Sequence, residues 1–366
     1  MTKKNYFKTE HTNVVKGIAV LMLLSHHLFF GQIATPIHWF GGDSWNQIFA
    51  TIFKVCVSLF AILSGYGLSQ KYKNKDETIT DTDFVIKRTS KLLKQYWWVF
   101  SIFVPLGFLL GANPISVYGS GIGGLFYCIV DFFGLFPFAH TPTMNYTWWY
   151  IEAALAFYLL FPLFFKIVKK HPMIVLGITY VLFVKYAASY CREIFWFFPF
   201  CVGIYCSQKD TFNRYMARIE RSNEDRRLQI KFSAFIWVFI WLFLRSKIGI
   251  AVDVFFSISI IKFVICFIMN KKITKNILFV LGKHSANIFL THSFIYYYYS
   301  VIATPFNTIS SNLVKYLVLL VLSFATSVVI EMIKHLLKTY IFNKNETNNA
   351  PQPIPQNLKP NNKKMV

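Results

Sequence analysis

Long apolar runs separated by short polar loops organise this chain. The runs fall at roughly 14–31, 48–69, 96–112, 148–168, 173–190, 194–206, 229–245, 249–269, 286–303 and 313–333. Several approach the roughly 20 residues that a helix needs to cross a hydrocarbon core ~30 Å thick. Membrane barrels show shorter segments of alternating polarity, and these runs do not alternate. A lipid-exposed backbone must satisfy its hydrogen bonds within each segment. The pattern therefore predicts an all-α, polytopic membrane helical bundle of about ten transmembrane helices. The sixth run is short. The stretch 121–139 is also apolar, but Gly121, Gly123, Gly124, Asp131, Gly134 and Pro137 interrupt it. It reads as a re-entrant or interfacial segment.

Charge orients this bundle. The net charge is +22, with 38 Lys and Arg. With ten spans and a cytoplasmic N-terminus, only Lys185, Arg192, Arg245, Lys247 and Lys315 fall at or near the outer side. Lys54 and Lys262 lie within spans, and the remaining basic residues face the cytoplasm. This positive-inside bias predicts that both termini are cytoplasmic. Counting 121–139 as a span would invert everything downstream and destroy the bias. The charge is spread over many short loops, so nucleic acid is not an expected partner. The expected organisation is a cytoplasmic tail at 1–12, a transmembrane domain at 13–337 and a disordered cytoplasmic tail at 338–366. The first apolar run has no small-residue cleavage site, so no cleavable signal is expected. The charged loop 207–231 predicts a short cytoplasmic helix. Cys56, Cys128, Cys191, Cys201, Cys206 and Cys266 show no CxxC spacing, and no metal site is expected. No repeat relates the two halves, which argues against an inverted-repeat transporter.

The first apolar run carries the first chemical signal. Lys16 opens it and His27 lies eleven positions further in, about 16 Å along a helix. Ionisable groups at membrane depth are costly and tend to mark functional pathways. Four further motifs follow in order. They are Val57–Leu68 (VSLFAILSGYGL), Phe84–Trp97 (FVIKRTSKLLKQYW), Trp148–Pro162 (WWYIEAALAFYLLFP) and Leu281–His292 (LGKHSANIFLTH). Together and in this order they resemble the acyltransferase family 3 membrane proteins, bacterial enzymes that mostly O-acetylate cell-surface polysaccharides such as capsule and exopolysaccharide. The resemblance spans roughly 13–335. It departs from the family at several points. Lys16 stands where the family carries Arg, keeping charge but losing the bidentate fork. Arg88-Thr-Ser-Lys91 replaces Arg-x-x-Arg, Lys94 replaces a frequent proline, and Glu331-Met-Ile333 replaces Glu-x-Pro. The C-terminal extracytoplasmic hydrolase-like domain of many relatives has no counterpart in this sequence.

The resemblance implies a bacterial plasma-membrane O-acetyltransferase. Acetyl would pass from cytoplasmic acetyl-CoA, the expected co-substrate, to a polysaccharide or lipid-linked glycan. Arg88, Lys91 and Lys94 share one helix face and suit the donor's phosphates. A snorkelling anchor is the competing reading. His27 is the expected general base or transient acyl acceptor, with Lys16 and Glu331 completing the catalytic set. Glu331 could equally form an ion pair with a cation such as Lys16. His26 points about 100° away from His27 and ranks second. Ser64, Tyr66, Ser285 and His292 are expected along the donor path, although helix packing explains them as well. Trp149, Tyr150 and Glu152 are expected at the acceptor, although Trp and Tyr also form ordinary interfacial belts. Membrane lipid is an expected partner. The competing functions are a flippase for a lipid-linked glycan, and a subunit that passes acyl groups to a separate extracytoplasmic enzyme.

The charge asymmetry makes a topological prediction. Reporters at either terminus should read cytoplasmic, and reporters within 31–47 or 113–147 should read extracytoplasmic. A cytoplasmic signal from 139–147 would mean that 121–139 crosses the membrane and that the ten-span arrangement fails.

Overall fold

A computed structural model describes residues 6–30, 45–186 and 196–348, with side chains through 340. Residues 31–44 of the expected outer loop, Cys191, Arg192 and most of the expected C-terminal tail lie outside the described residues. Every regular element among the described residues is helical.

In chain order the helices are α1 (Thr9–Phe30), α2 (Trp45–Phe53), α3 (Cys56–Lys73), α4 (Asp81–Leu110), α5 (Pro114–Tyr118), α6 (Gly121–Phe132) and α7 (Phe136–Ala139). Then come α8 (Trp149–Lys170), α9 (Pro172–Tyr186), α10 (Phe197–Gln208), α11 (Thr211–Arg221), α12 (Glu224–Ile248) and α13 (Asp253–Phe263). The last are α14 (Lys272–Lys283), α15 (Ser285–Ser293), α16 (Ser300–Asn307) and α17 (Asn312–Asn348). The last helix runs on into the segment expected to be tail.

Six segments are long and apolar enough to cross a membrane: Thr9–Phe30, Trp45–Lys73, Asp81–Leu110, Tyr146–Lys170, Glu224–Ile268 and Asn312–Tyr340. The fifth doubles back at a tight turn over Gly249–Val252, where Trp241 stacks on Phe255 and Phe235 meets Phe267. It therefore covers the two expected spans 229–245 and 249–269. Helices α6, α9 and α10 are apolar but shorter. At 12 residues, α6 is about 18 Å long, well short of the hydrocarbon core.

Three expected spans, 48–69, 249–269 and 286–303, are not continuous α-helices. The run 48–69 breaks at Lys54–Val55, between α2 and α3. The run 286–303 consists of α15, a π-helical turn at Phe294–Tyr298 and the start of α16. A second π-helical turn, Val264–Ile268, follows α13. Hydropathy averages over such breaks, so they leave no trace in an apolar count.

Glycines set the closest helix contacts. Gly65 of α3 faces the Phe200 carbonyl, and Gly203 of α10 faces the Ile62 carbonyl, so these helices meet backbone to backbone. Gly17 of α1 likewise lies on the Leu278 carbonyl, and Gly282 of α14 on the Asn13 carbonyl. Small residues permit such approach where lipid supplies no hydrophobic drive between helices.

Two polar devices fix α4. Its start is capped by Thr80 and Asp83, each side chain bonding the other's backbone N–H. Beyond its other end, the fully buried Asp131 of α6 accepts from the Tyr118 hydroxyl at 2.6 Å, the Tyr96 hydroxyl at 3.2 Å and the Met144 N–H at 3.0 Å. The polar residue that interrupts 121–139 therefore latches that segment onto α4 and the approach to α8.

A side chain at Gly203 would have to displace backbone, whereas Gly177 of α9 has open space. Gly203→Val should cost at least ~1–3 kcal/mol of stability, and Gly177→Ala should be neutral or gain up to ~1 kcal/mol. Thermal unfolding of the detergent-extracted protein checks both.

Candidate active site

The ends of α1, α3, α4 and α17 converge on a cavity of ≈1230 Å³. Eight basic side chains line it: Lys8, Lys16, Lys71, Lys87, Arg88, Lys91, Lys94 and Lys334. No acidic residue does. Basic side chains just outside it are paired. Lys166 and Lys75 hold Asp81 at 2.8 and 3.5 Å, and Lys73 bonds the Ser207 carbonyl at 2.8 Å with Asp210 at 3.8 Å. Of the cavity cations, only Lys334 has a carboxylate within ion-pair distance among the described residues. Ser64 and Tyr66 from α3 also line the cavity. The Tyr66 hydroxyl, the Gln70 amide nitrogen and the Arg88 Nε are buried there without hydrogen-bond partners. Arg88 lies 5.2 Å from the Phe84 ring centre, which fixes its guanidinium at the wall.

One end of the cavity is closed by a polar network. The Glu331 carboxylate accepts from Lys334 at 2.8 Å and from the Asn287 amide at 2.8 Å. Lys334 also donates to Gln95 Oε1 at 2.9 Å, and the Gln95 amide donates to Asn287 Oδ1. The network joins α4, α15 and α17. Glu331 thus partners Lys334, and Lys16 has no carboxylate partner among the described residues.

Deeper along α1 lies a second cluster. The His27 ring sits 4.8 Å from that of His292, with Tyr296 at 6.4 Å. His292 is fully buried, and its Nδ1 lies 3.0 and 2.9 Å from the carbonyl oxygens of Ile288 and Phe289. Carbonyls only accept, so Nδ1 carries the proton and Nε2 presents a lone pair. That Nε2 has no hydrogen-bond partner among the described residues. His26 faces away, its Nδ1 lying 2.8 Å from the Ala50 carbonyl of α2.

The structure distributes the expected site residues between these two places. Lys16, Ser64, Tyr66, Arg88, Lys91 and Lys94 line the cavity. His292 stands beside His27 instead of along the cavity. Ser285 is buried at the head of α15, next to the lining residue Ala286. Tyr150 packs on Trp149 and on Phe289, whose ring lies 6.3 Å from His292. Glu152, one turn along α8, is half-buried. The buried Trp148, their neighbour, donates its indole N–H to the Leu290 carbonyl at 2.9 Å and ties α8 to α15.

The family model described as an acyltransferase domain matches residues 12–332. The chain belongs to acyltransferase family 3. Comparison with curated proteins and with solved structures returns no match. The matched span of this family 3 chain takes in the histidine pair and most of the cavity lining, while Phe7, Lys8, Thr9 and Lys334 of that lining lie just outside it.

Sequence reasoning missed Lys8, Lys71, Lys87 and Lys334 at the cavity. Lys87 precedes Arg88 directly, and Lys334 follows Glu331 by one helical turn, so spacing offered a signal for both. Lys71 lies in a cationic helix end that positive-inside bias already explains. It also missed the buried ion pair of Arg245 and Asp253, which closes the turn between α12 and α13.

A double-mutant cycle tests the assignment of Glu331. Glu331→Ala and Lys334→Ala should couple by about 0.3–1 kcal/mol, the range for a partly exposed pair. Glu331→Ala and Lys16→Ala should be additive within error. Equal coupling in both cycles would return Glu331 to Lys16.

Proposed function

We propose that this chain is a membrane O-acetyltransferase, taking acetyl from cytoplasmic acetyl-CoA to a hydroxyl of a cell-surface or lipid-linked polysaccharide in a bacterial plasma membrane. The observation that carries the reading is a large cavity with eight basic and no acidic lining residues. Its volume exceeds the roughly 300–1,000 Å³ of ordinary small-molecule pockets. An extended ligand with several phosphates matches both its size and its charge. Arg88, Lys91 and Lys94 offer charge-assisted contacts to phosphate. Lys16 marks the point where α1 leaves the cavity toward His27.

The donor's pantetheine arm would follow α1 for about 16 Å to the histidine pair. There the acceptor hydroxyl attacks the thioester carbonyl, an ester C–O bond forms and the C–S bond breaks. The hydroxyl proton goes to imidazole and then to the departing thiolate, releasing CoA as the thiol. His27 and the unpartnered Nε2 of His292 are the available bases, and Tyr150 with Trp149 offers aromatic surface to a sugar. A flippase could use the cationic cavity for the phosphate of a lipid-linked glycan, but that reading gives the His27–His292 pair no chemical role.

The test is acetyl transfer by the purified chain in lipid discs, with acetyl-CoA and the organism's surface glycan. His27→Ala should reduce turnover by about a hundred- to ten-thousandfold while abundance is unchanged. Arg88→Ala, Lys91→Ala and Lys71→Ala should each raise the KM for acetyl-CoA about tenfold or more. Lys73→Ala, paired outside the cavity, should not. Normal acetylation by His27→Ala would exclude the scheme, and equal small effects at all four cations would reduce the cavity to a topology signal.

A further inference from the structure

A second cavity, of ≈600 Å³, opens between α11, α12 and α13. Arg218, Arg226 and Lys262 line it, and no carboxylate does. None of the three has an ion-pair partner among the described residues. Arg226 donates only to the Gln229 side chain, at 2.8 Å. Lys262 is the most telling, because it interrupts an apolar helix and is not among the lining residues of the first cavity. Its ammonium lies 5.5 Å from the ring centre of Tyr215, which also lines the cavity.

The opposite end of the cavity is aromatic. Trp237 and Trp241 stack one turn apart, and Trp241 stacks on Phe255 at 5.0 Å. Trp237 and Phe255 remain 47% and 44% exposed, so this wall faces lipid and is not packed core. From Arg226 to Trp241, α12 advances about 22 Å. That is half of a bilayer about 40–45 Å thick with its headgroups, the depth of one leaflet. With α11 on the cytoplasmic side, as the distribution of Lys and Arg predicts, Arg218 and Arg226 lie at headgroup level, Lys262 lies between them and the rings, about 10 Å along α13 from Phe255, and the rings reach toward the midplane.

We propose that this groove binds one anionic phospholipid of the cytoplasmic leaflet, its phosphate held by Arg218, Arg226 and Lys262 and an acyl chain laid along Trp237 and Trp241. A snorkelling lysine would need only interfacial water. Three cations lining one cavity without an acid among the described residues, beside a leaflet-deep aromatic wall, match a phosphodiester joined to a hydrocarbon chain. The proposal does not depend on the acyl-transfer reading.

The test is native mass spectrometry of the full chain, released from detergent with phosphatidylglycerol or phosphatidylcholine. Phosphatidylglycerol should bind more tightly than phosphatidylcholine. Lys262→Gln should weaken it about tenfold, the loss of one charge-assisted contact. Lys262→Arg should retain it. The double variant Lys169→Gln/Lys170→Gln, which removes exposed charge at the end of α8, should leave it unchanged. If Lys262→Gln does not fold, Arg218→Gln/Arg226→Gln supplies the same comparison from exposed positions. Equal binding of the two lipids, or an equal loss in the α8 control, would overturn the proposal. So would displacement by water-soluble glycerol 3-phosphate at the same concentration as phosphatidylglycerol, which would assign the groove to a free anion.

Discussion

Like charges crowded around one cavity are the constraint on which the rest of this structure depends. Neighbouring cations three residues apart on a helix lie about 5–6 Å apart. Each such pair repels by roughly 1–3 kcal/mol, between the limits of water and a protein-like dielectric. The chain relieves this repulsion elsewhere: Asp81, Asp210 and Glu10 neutralise Lys166, Lys73 and Lys275. Around the cavity it does not, except at Lys334. Helix packing must therefore hold these groups together against their own field. An anion that enters gains what the folded chain has left unsatisfied.

The packing that does this uses backbone, not bulk. Lys16 is held in place because its neighbour Gly17 lets α1 lie directly on α14. Ser64 and Tyr66 flank Gly65, which brings α3 onto α10. The motif glycines thus stand beside the residues that line the cavity. The buried Tyr96 and Asp131 do the corresponding work midway along α4, where a hydrogen-bonded carboxylate replaces close contact.

Much of this was legible in the sequence, and the illegible part has a common physical cause. Apolar run length and charge asymmetry pointed to a helical membrane bundle, and i, i+3 spacing put Arg88, Lys91 and Lys94 on one wall. Lys16 and His27 were legible because a cation and an imidazole in an apolar run are conspicuous. The His27–His292 pair was not, because it joins residues 265 positions apart across a tertiary contact. His292 was a candidate on its own, and nothing in the sequence shows that the imidazole beside it is His27 of α1. The expectation that Glu331 pairs with a cation left the partner open, and the one it meets, Lys334, lies one turn away on the same helix.

The glycine contacts also divide the molecule into parts that can and cannot move. Where two helices touch backbone to backbone, sliding or tilting drives a carbonyl of one into the backbone of the other, so α1 with α14, and α3 with α10, behave as rigid bodies. Compliance belongs to the places where the helical ladder is already interrupted: the Lys54–Val55 break and the π-helical turns at Val264–Ile268 and Phe294–Tyr298. The first lies just below α2, which accepts His26, and the last directly follows the helix carrying His292. The joints of this bundle are therefore near the histidine pair, while the walls that carry Lys16, Ser64 and Tyr66 are its fixed frame.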